Sequence, residues 1–282
     1  MNSKYSVGFI GCGNMGGALA MAVSRSDAAA EVKLYDLNNL LASGLRITTE
    51  GKGSVVSSAS ETVKNSDFVF IGVKPNTVNA VLDEIAPALI ENPSCALVSM
   101  AAGISISAIK DGIAASLKKS ECKNSFENPI IRIMPNTPVT LGEGVIGFAS
   151  ETCKKVKEAF MAIMEKAGYT KEVSEENIDA VTALSGCGPA FVYSFIEALA
   201  SAGEDCGLNP HDALMLAAKT LGGAAKMVEL TGIAPSELRR RVCSPGGATI
   251  EGVKVLENED FSKTVKNAVA ASFEKTKKLG NK

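Results

Sequence analysis

Short apolar runs alternate with longer amphipathic stretches along the first half of the chain. The runs are Val7–Ile10, Val32–Asp36, Phe68–Val73, Ala96–Met100 and Ile130–Met134, with Gly144–Ala149 as a sixth strand and Tyr169–Val173 as a last short one. Between them lie helical patterns. One begins near Ser60-Glu61-Thr62; another follows Pro75 and presents Val78, Val81, Leu82 and Ile85 on one face. Strand and helix in alternation predict a parallel sheet covered on both faces, an α/β Rossmann-type domain with ligands at the carboxyl ends of its strands. From Glu175 onward the texture changes to Ala, Leu, Gly and Met at helical spacing. It is broken by Ser185–Pro189, by Asn209-Pro210 (an N-cap followed by a first-turn proline), by Gly232–Pro235 and by Ser244–Gly247. The expected organisation is therefore a dinucleotide-binding domain over 1–172 and an all-helical substrate-binding and dimerisation domain over 173–282. Segments such as Ala190–Ala202 and Ala213–Met227 are apolar on more than one face, which predicts a homodimer that exchanges helical surface.

Composition narrows the function classes. The chain has 282 residues, 46% of them hydrophobic, and a net charge of −2, which leaves no electrostatic footprint for nucleic acid or an anionic membrane surface. A small-molecule substrate is expected. The seven cysteines (Cys12, Cys95, Cys122, Cys153, Cys187, Cys206 and Cys243) are scattered without a C-x-x-C pair, and there is one histidine, His211. That usage predicts reduced thiols, a cytoplasmic setting and no metal site. No apolar run is read as reaching the length of about 18 residues that a membrane span needs, and the chain runs straight from its first residues into a strand, so no membrane or targeting segment is expected.

The first run leads into Gly11-Cys12-Gly13-Asn14-Met15-Gly16, which has the G-x-G-x-x-G spacing and is followed by the helix-forming Ala18–Val23. Gly11 makes the tight turn out of the strand, Gly13 lets a pyrophosphate approach bare backbone, and Gly16 lets the helix pack on the strand. The helix N-terminus, with Asn14 and Met15 in its first turn, offers free N–H groups and a positive dipole end to phosphates. Asp36 closes the second strand about 20 residues on, where an acid can accept the ribose hydroxyls and repel a 2′-phosphate. Leu37, Asn38 and Asn39 supply no cation for such a phosphate, so NADH is favoured over NADPH. Val73-Lys74-Pro75 lies where the third run meets its helix, with Lys74 either touching a ribose or phosphate or standing in solvent. Asn136-Thr137-Pro138 holds the same topological place after the fifth run and offers an amide and a hydroxyl near the nicotinamide.

The second half carries one further stretch with chemistry, Pro235–Gly252. Its Ser244-Pro245-Gly246-Gly247 loop enters a helix, exposing N–H groups that suit a carboxylate, and Ala248 and Thr249 follow, the latter with a hydroxyl able to bond a ring nitrogen. Arg239-Arg240-Arg241 reads as a solvated face, His211 as a surface residue and Cys187 as packing.

Gly8–Gly17, Val73-Lys74-Pro75, Met134–Pro138, Leu184–Ala190 and Val242–Thr249 together resemble the pyrroline-5-carboxylate reductase family, in order and over nearly the whole chain. The resemblance implies NAD(P)H-dependent reduction of a cyclic imine to proline, a helical dimerisation domain and often rings of dimers. By position it implies that Ser244, Gly246, Gly247, Ala248 and Thr249 hold the substrate carboxylate and ring, with Thr249 the catalytic residue. Two positions depart from the family pattern: Cys187 replaces the middle serine of Ser-Gly-Ser-Gly-Pro-Ala, and Asp36 stands where NADPH-preferring members often carry polar or basic residues. A 3-hydroxyacid dehydrogenase shares the opening motif, yet no lysine follows Gly188 on the next helix. A nucleotide-sensing regulator would keep the glycine loop but need no Ser244–Thr249 anchor.

Overall fold

The computed structural model describes residues 4–120 and 125–280; Cys122 and Met1–Ser3 lie outside the described residues. The strands are β1 (Tyr5–Ile10), β2 (Ala29–Tyr35), β3 (Gly53–Val55), β4 (Phe68–Ile71), β5 (Ala96–Ser99), β6 (Ile130–Met134), β7 (Gly144–Ser150) and β8 (Gly168–Glu172). Among the described residues they form one sheet in the order β3-β2-β1-β4-β5-β6-β7-β8. The first six reproduce the doubly wound dinucleotide-binding order. Period-two alternation splits each central strand between two cores. Phe9, Phe68 and Phe70 pack on one face with Leu19, Phe148 and Phe160, while Ile10, Val69 and Ile71 pack on the other with Leu82, Ile85 and Leu97. Phe9 stacks on Phe70 with ring centroids 4.6 Å apart.

The faces are covered by α1 (Asn14–Arg25), α2 (Asn39–Ile47), α3 (Ala59–Val63), α4 (Val78–Glu91), α5 (Ile106–Lys119) and α6 (Lys154–Ile163). Helix α3 opens on a reciprocal cap. Ser58 Oγ accepts from Glu61 N at 3.1 Å, and Glu61 accepts the Ser57 N–H at 2.7 Å, which holds the Glu61 carboxyl below its usual range. Two details differ from the expected sheet: an additional strand, β3, which pairs parallel with β2, and the direction of β7. β3 is a three-residue edge strand that carries no readable alternation, and β7 runs antiparallel to β6. The second follows from length, because the connection holds only a 3₁₀ turn, Thr137–Leu141, which cannot make a parallel crossover.

The chain forms two compact units, Met1–Gly186 with Phe273 onward, and Cys187–Ser272. The division falls later than residue 172. After β8 come a 3₁₀ turn, Glu175–Asn177, then α7 (Ile178–Val181) and a π-helical turn, Thr182–Gly186, and these stay with the first unit. Fully buried Ile178 packs with Met134 and Ala149, and an ion cluster adds to it. Arg132, buried on β6, reaches Glu175 at 3.2 Å and Asp179 at 3.5 Å, while Glu175 also accepts the Ile106 N–H at the start of α5 at 2.7 Å.

The second unit holds α8 (Gly188–Asp205), α9 (Pro210–Thr231), α10 (Pro235–Val242), α11 (Ala248–Asn258) and most of α12 (Phe261–Gly280). Asn209 caps α9 as expected, its side chain accepting the Asp212 N–H at 2.9 Å. In the single chain, the buried apolar side chains here are Ala200, Ala213 and Ala217, whereas Tyr193, Leu216 and Leu230 stand 55%, 55% and 80% exposed. One expectation from sequence is corrected: the helical run Glu175–Asp205 contains an 18-residue window of mean hydropathy 1.3, enough by length and composition to cross a membrane. Glycine, serine and tyrosine interrupt its apolar residues, so it does not stand out as a run.

Candidate dinucleotide crevice and substrate loop

Three glycines set the geometry at the carboxyl end of β1. Gly11 has φ +97°, a left-handed turn out of the strand, and a Cβ there would lie 2.8 Å from the Gly72 carbonyl. A Cβ on Gly16 would overlap the Gly11 carbonyl oxygen, and one on Gly72 would come within 2.8 Å of that same oxygen. Helix α1 can therefore approach the β1 and β4 exits only because all three positions lack side chains. Gly13 plays a different part. Nothing lies within 4 Å of where its Cβ would be, and as N-cap it offers no side chain, so the first N–H groups of α1, on Asn14, Met15 and Gly16, have no intrahelical partner. That arrangement fits a pyrophosphate.

Asp36 is not a free strand end. Its Oδ2 accepts the Cys12 N–H at 2.7 Å and its Oδ1 the Asn38 N–H at 2.8 Å, so the acid ties the glycine loop to the turn after β2. Its charge also acts on the Cys12 thiol, whose pKa is pushed up to about 12, chiefly by burial and then by Asp36. A cavity of about 230 Å³ opens beside it, walled by Ile10, Gly11, Leu37, Val73 and Val81, with Tyr35, Asp36, Thr77 and Glu84 as its polar groups. The Tyr35 hydroxyl is held above its usual pKa by burial and by the charges of Glu84 and Asp36. Sequence alone does not single out Tyr35, Thr77 or Glu84. Glu84 lies on α4 between the apolar face positions Leu82 and Ile85, and the packing of α4 against α3, whose Ala59 N–H it accepts, brings it to the crevice.

Val73 lines this cavity. Lys74 is exposed and has no ion pair among the described residues; its carbonyl accepts the Thr77 N–H at 2.9 Å in the turn that Pro75 opens. Asn136 differs from expectation. It is 7% exposed, its Nδ2 donates to the Ser185 carbonyl at 3.0 Å and its Oδ1 accepts the Val145 N–H at 2.8 Å. The amide thus joins the β6 exit to β7 and the π-turn instead of standing open.

In the second unit, Gly246 takes φ +72° and the Gly247 N–H bonds the Ser244 carbonyl at 3.0 Å. Gly247 is the N-cap of α11 without a side-chain cap, so the N–H groups of Ala248 and Thr249 are free of intrahelical partners. Ser244, Ala248 and Thr249 are exposed. The glycine-loop set converges within the first unit, and Ser244–Thr249 within the second. The arginine triplet is committed to carboxylates: Arg240 and Arg241 to Glu237 at 2.8 and 2.9 Å, Arg239 to Glu257 at 3.4 Å. His211 is exposed, and Cys187 sits half-buried at the N-cap of α8.

Comparison with known proteins also separates an N-terminal from a C-terminal part, with the C-terminal match beginning at residue 175, ahead of the compact unit that starts at Cys187. A family model described as pyrroline-5-carboxylate reductase dimerisation matches residues 175–279, and one described as NADP oxidoreductase, coenzyme F420-dependent, matches residues 6–103. The human protein named pyrroline-5-carboxylate reductase 2 is 36% identical, the alignment covering 97% of this chain and 83% of that one. A pyrroline-5-carboxylate reductase of Methanosarcina acetivorans is 33% identical over 99% of both chains. Among solved structures, a Plasmodium falciparum pyrroline carboxylate reductase with NADP bound superposes with a TM-score of 0.83 at 31% identity, covering 99% of this chain and 100% of that one. An N-terminal Rossmann-like sheet, a C-terminal helical dimerisation domain and this level of identity over full-length relatives establish that the chain belongs to the pyrroline-5-carboxylate reductase family.

Proposed function

We propose that the chain reduces 1-pyrroline-5-carboxylate to L-proline with a reduced nicotinamide dinucleotide, NADH in preference to NADPH. The observation that carries this reading is the pairing, in one chain of this family, of a side-chain-free phosphate cradle at Gly13 with a second side-chain-free helix start at Gly247. When bound, the cofactor supplies a hydride to the imine carbon. The glycine loop and α1 hold the pyrophosphate, and Val73, Lys74 and Pro75 border the crevice. Ser244, Gly246, Gly247 and Ala248 hold the substrate carboxylate through main-chain donors, and Thr249 orients the ring nitrogen. No strong protein acid is called for, because the imine can arrive protonated. What the residues contribute is orientation, which in well-aligned systems lowers a barrier by roughly 7–11 kcal/mol.

NADH is favoured because the acid at the end of β2, which makes no ion pair among the described residues, would meet the ribose hydroxyls and repel a 2′-phosphate. The Plasmodium relative was solved with NADP, so this choice is read from this chain's own residues. The apolar helices of 173–282 support a homo-oligomer built on the second domain, a dimer or a ring of dimers, acting on a small molecule in the cytoplasm. Steady-state turnover of 1-pyrroline-5-carboxylate with NADH and with NADPH tests the reading. Proline formation with a higher kcat/KM for NADH supports it, and absence of turnover with both overturns it.

A further inference from the structure

The cavity beside β2 has apolar walls suited to a flat heterocycle, and its polar groups are unequal. Both Asp36 oxygens already accept main-chain N–H groups. The Thr77 hydroxyl donates to the Lys74 carbonyl at 3.0 Å. Glu84 differs: its Oε1 accepts the Ala59 N–H at 2.8 Å, and its Oε2 has no hydrogen bond among the described residues. Glu84 Oε2 is therefore a carboxylate oxygen with no donor among the described residues, whereas each Asp36 oxygen already has one main-chain donor and keeps its remaining lone pair for the ribose.

From this juxtaposition we propose that Glu84 reads the base of the cofactor, its free carboxylate oxygen accepting a hydrogen from the 6-amino group of adenine while Leu37 and Val81 flank the ring. The inference rests on the reading of the crevice as a dinucleotide site, and it adds a specificity-determining residue to it. Chemically the choice is sharp. Adenine presents a donor at position 6, whereas hypoxanthine presents a carbonyl oxygen there, whose lone pairs would face the carboxylate. The first turn of α3 meanwhile keeps Glu84 in place through Ala59, so the side chain is fixed before the cofactor arrives.

The test titrates the full chain with NADH and with reduced nicotinamide hypoxanthine dinucleotide, following nicotinamide fluorescence. The wild type is expected to bind NADH about tenfold or more tightly than the hypoxanthine analogue, the size of a lost hydrogen bond to a charged acceptor. Glu84→Gln keeps an oxygen for Ala59 and turns the other position into a donor for the 6-oxo group, so the ratio should fall to within about twofold of unity. Comparing two ligands on one protein cancels any general loss of stability. Equal binding of the two by the wild type, or an unchanged ratio in Glu84→Gln, overturns the proposal. NADH and NADPH carry the same base, so a wild type that prefers NADPH overturns the Asp36 reading alone, whereas failure to bind either adenine dinucleotide overturns both.

Discussion

Asp36 accepts the main-chain N–H of Cys12 at 2.7 Å, across the gap between the second strand and the glycine loop. The residue proposed to select the cofactor is thereby also a support for the loop proposed to bind its phosphates. Asp36→Ser should relieve the repulsion of a 2′-phosphate and at the same time free the loop. Loss of a hydrogen bond to a charged acceptor costs about 1.5–3 kcal/mol, or roughly 10- to 150-fold in affinity. The expected outcome is a smaller NADH:NADPH ratio in which kcat/KM with NADPH stays well below the wild-type value with NADH. A variant that uses NADPH as well as the wild type uses NADH would show that Asp36 does not support the loop.

Thr249 and Gly247 should separate on mutation. On the proposed role of Thr249, Thr249→Ala would remove a bond that strengthens as the ring nitrogen becomes an amine, so kcat should fall roughly 10- to 150-fold while NADH affinity holds. In Gly247→Val the new side chain meets Ser244 Oγ, 2.5 Å from the Cβ position, and fills the approach to the Ala248 and Thr249 N–H groups. It should raise the KM for substrate and leave NADH binding unchanged. Kinetics alongside melting temperatures decide the matter, since near-wild-type turnover in folded Thr249→Ala would remove it from the mechanism.

The uncovered apolar residues of α8 and α9 predict assembly. Light scattering at micromolar concentration should give at least twice the 29.2 kDa chain mass. Leu216→Glu combined with Leu230→Glu, at positions 55% and 80% exposed in the single chain, should lower that mass. A wild-type monomer, or a double variant of unchanged mass, would count against an interface on this surface.

Cys12 should be chemically silent despite its place in the loop. Burial and the Asp36 charge raise its pKa to about 12, so the reactive thiolate is present only as pH climbs toward that value. Brief iodoacetamide treatment of the folded protein at pH 8 should label exposed Cys153 and spare Cys12, as peptide mass mapping will show. Labelling of Cys12 at a rate matching Cys153 would contradict the burial on which the shift rests.

Most of this architecture was legible in the sequence because it depends on local pattern. The strands that form the sheet interior are short apolar runs, and the glycine spacing, the Asn209 cap and the Gly246-Gly247 loop each state their conformation within a few residues. What escaped depends on partners far along the chain. β3 is too short to show alternation, and the direction of β7 hung on the length of one connection. The sequence around Asn136 shows a polar residue at a strand exit but not Val145 or Ser185, the distant partners that take its amide. Asp36 shows its charge in the sequence, while its bond to Cys12 exists only once β2 lies beside β1. Glu84 carries no motif at all and reaches the crevice through the docking of α4.

The buried Arg132 cluster fixes where the chain can be cut. A fragment ending before Glu175 would keep the guanidinium inside the sheet domain without either of its carboxylates, and an unpaired buried charge of that kind costs about 3–5 kcal/mol. A fragment beginning at Glu175 would carry two acids and the apolar Ile178 into a helical domain that supplies nothing for them. Protein expressed as separate halves should therefore be divided at Gly186, where the second compact unit begins, and the first half needs the turns from Phe273 onward restored to it, for instance as a fused or co-expressed peptide.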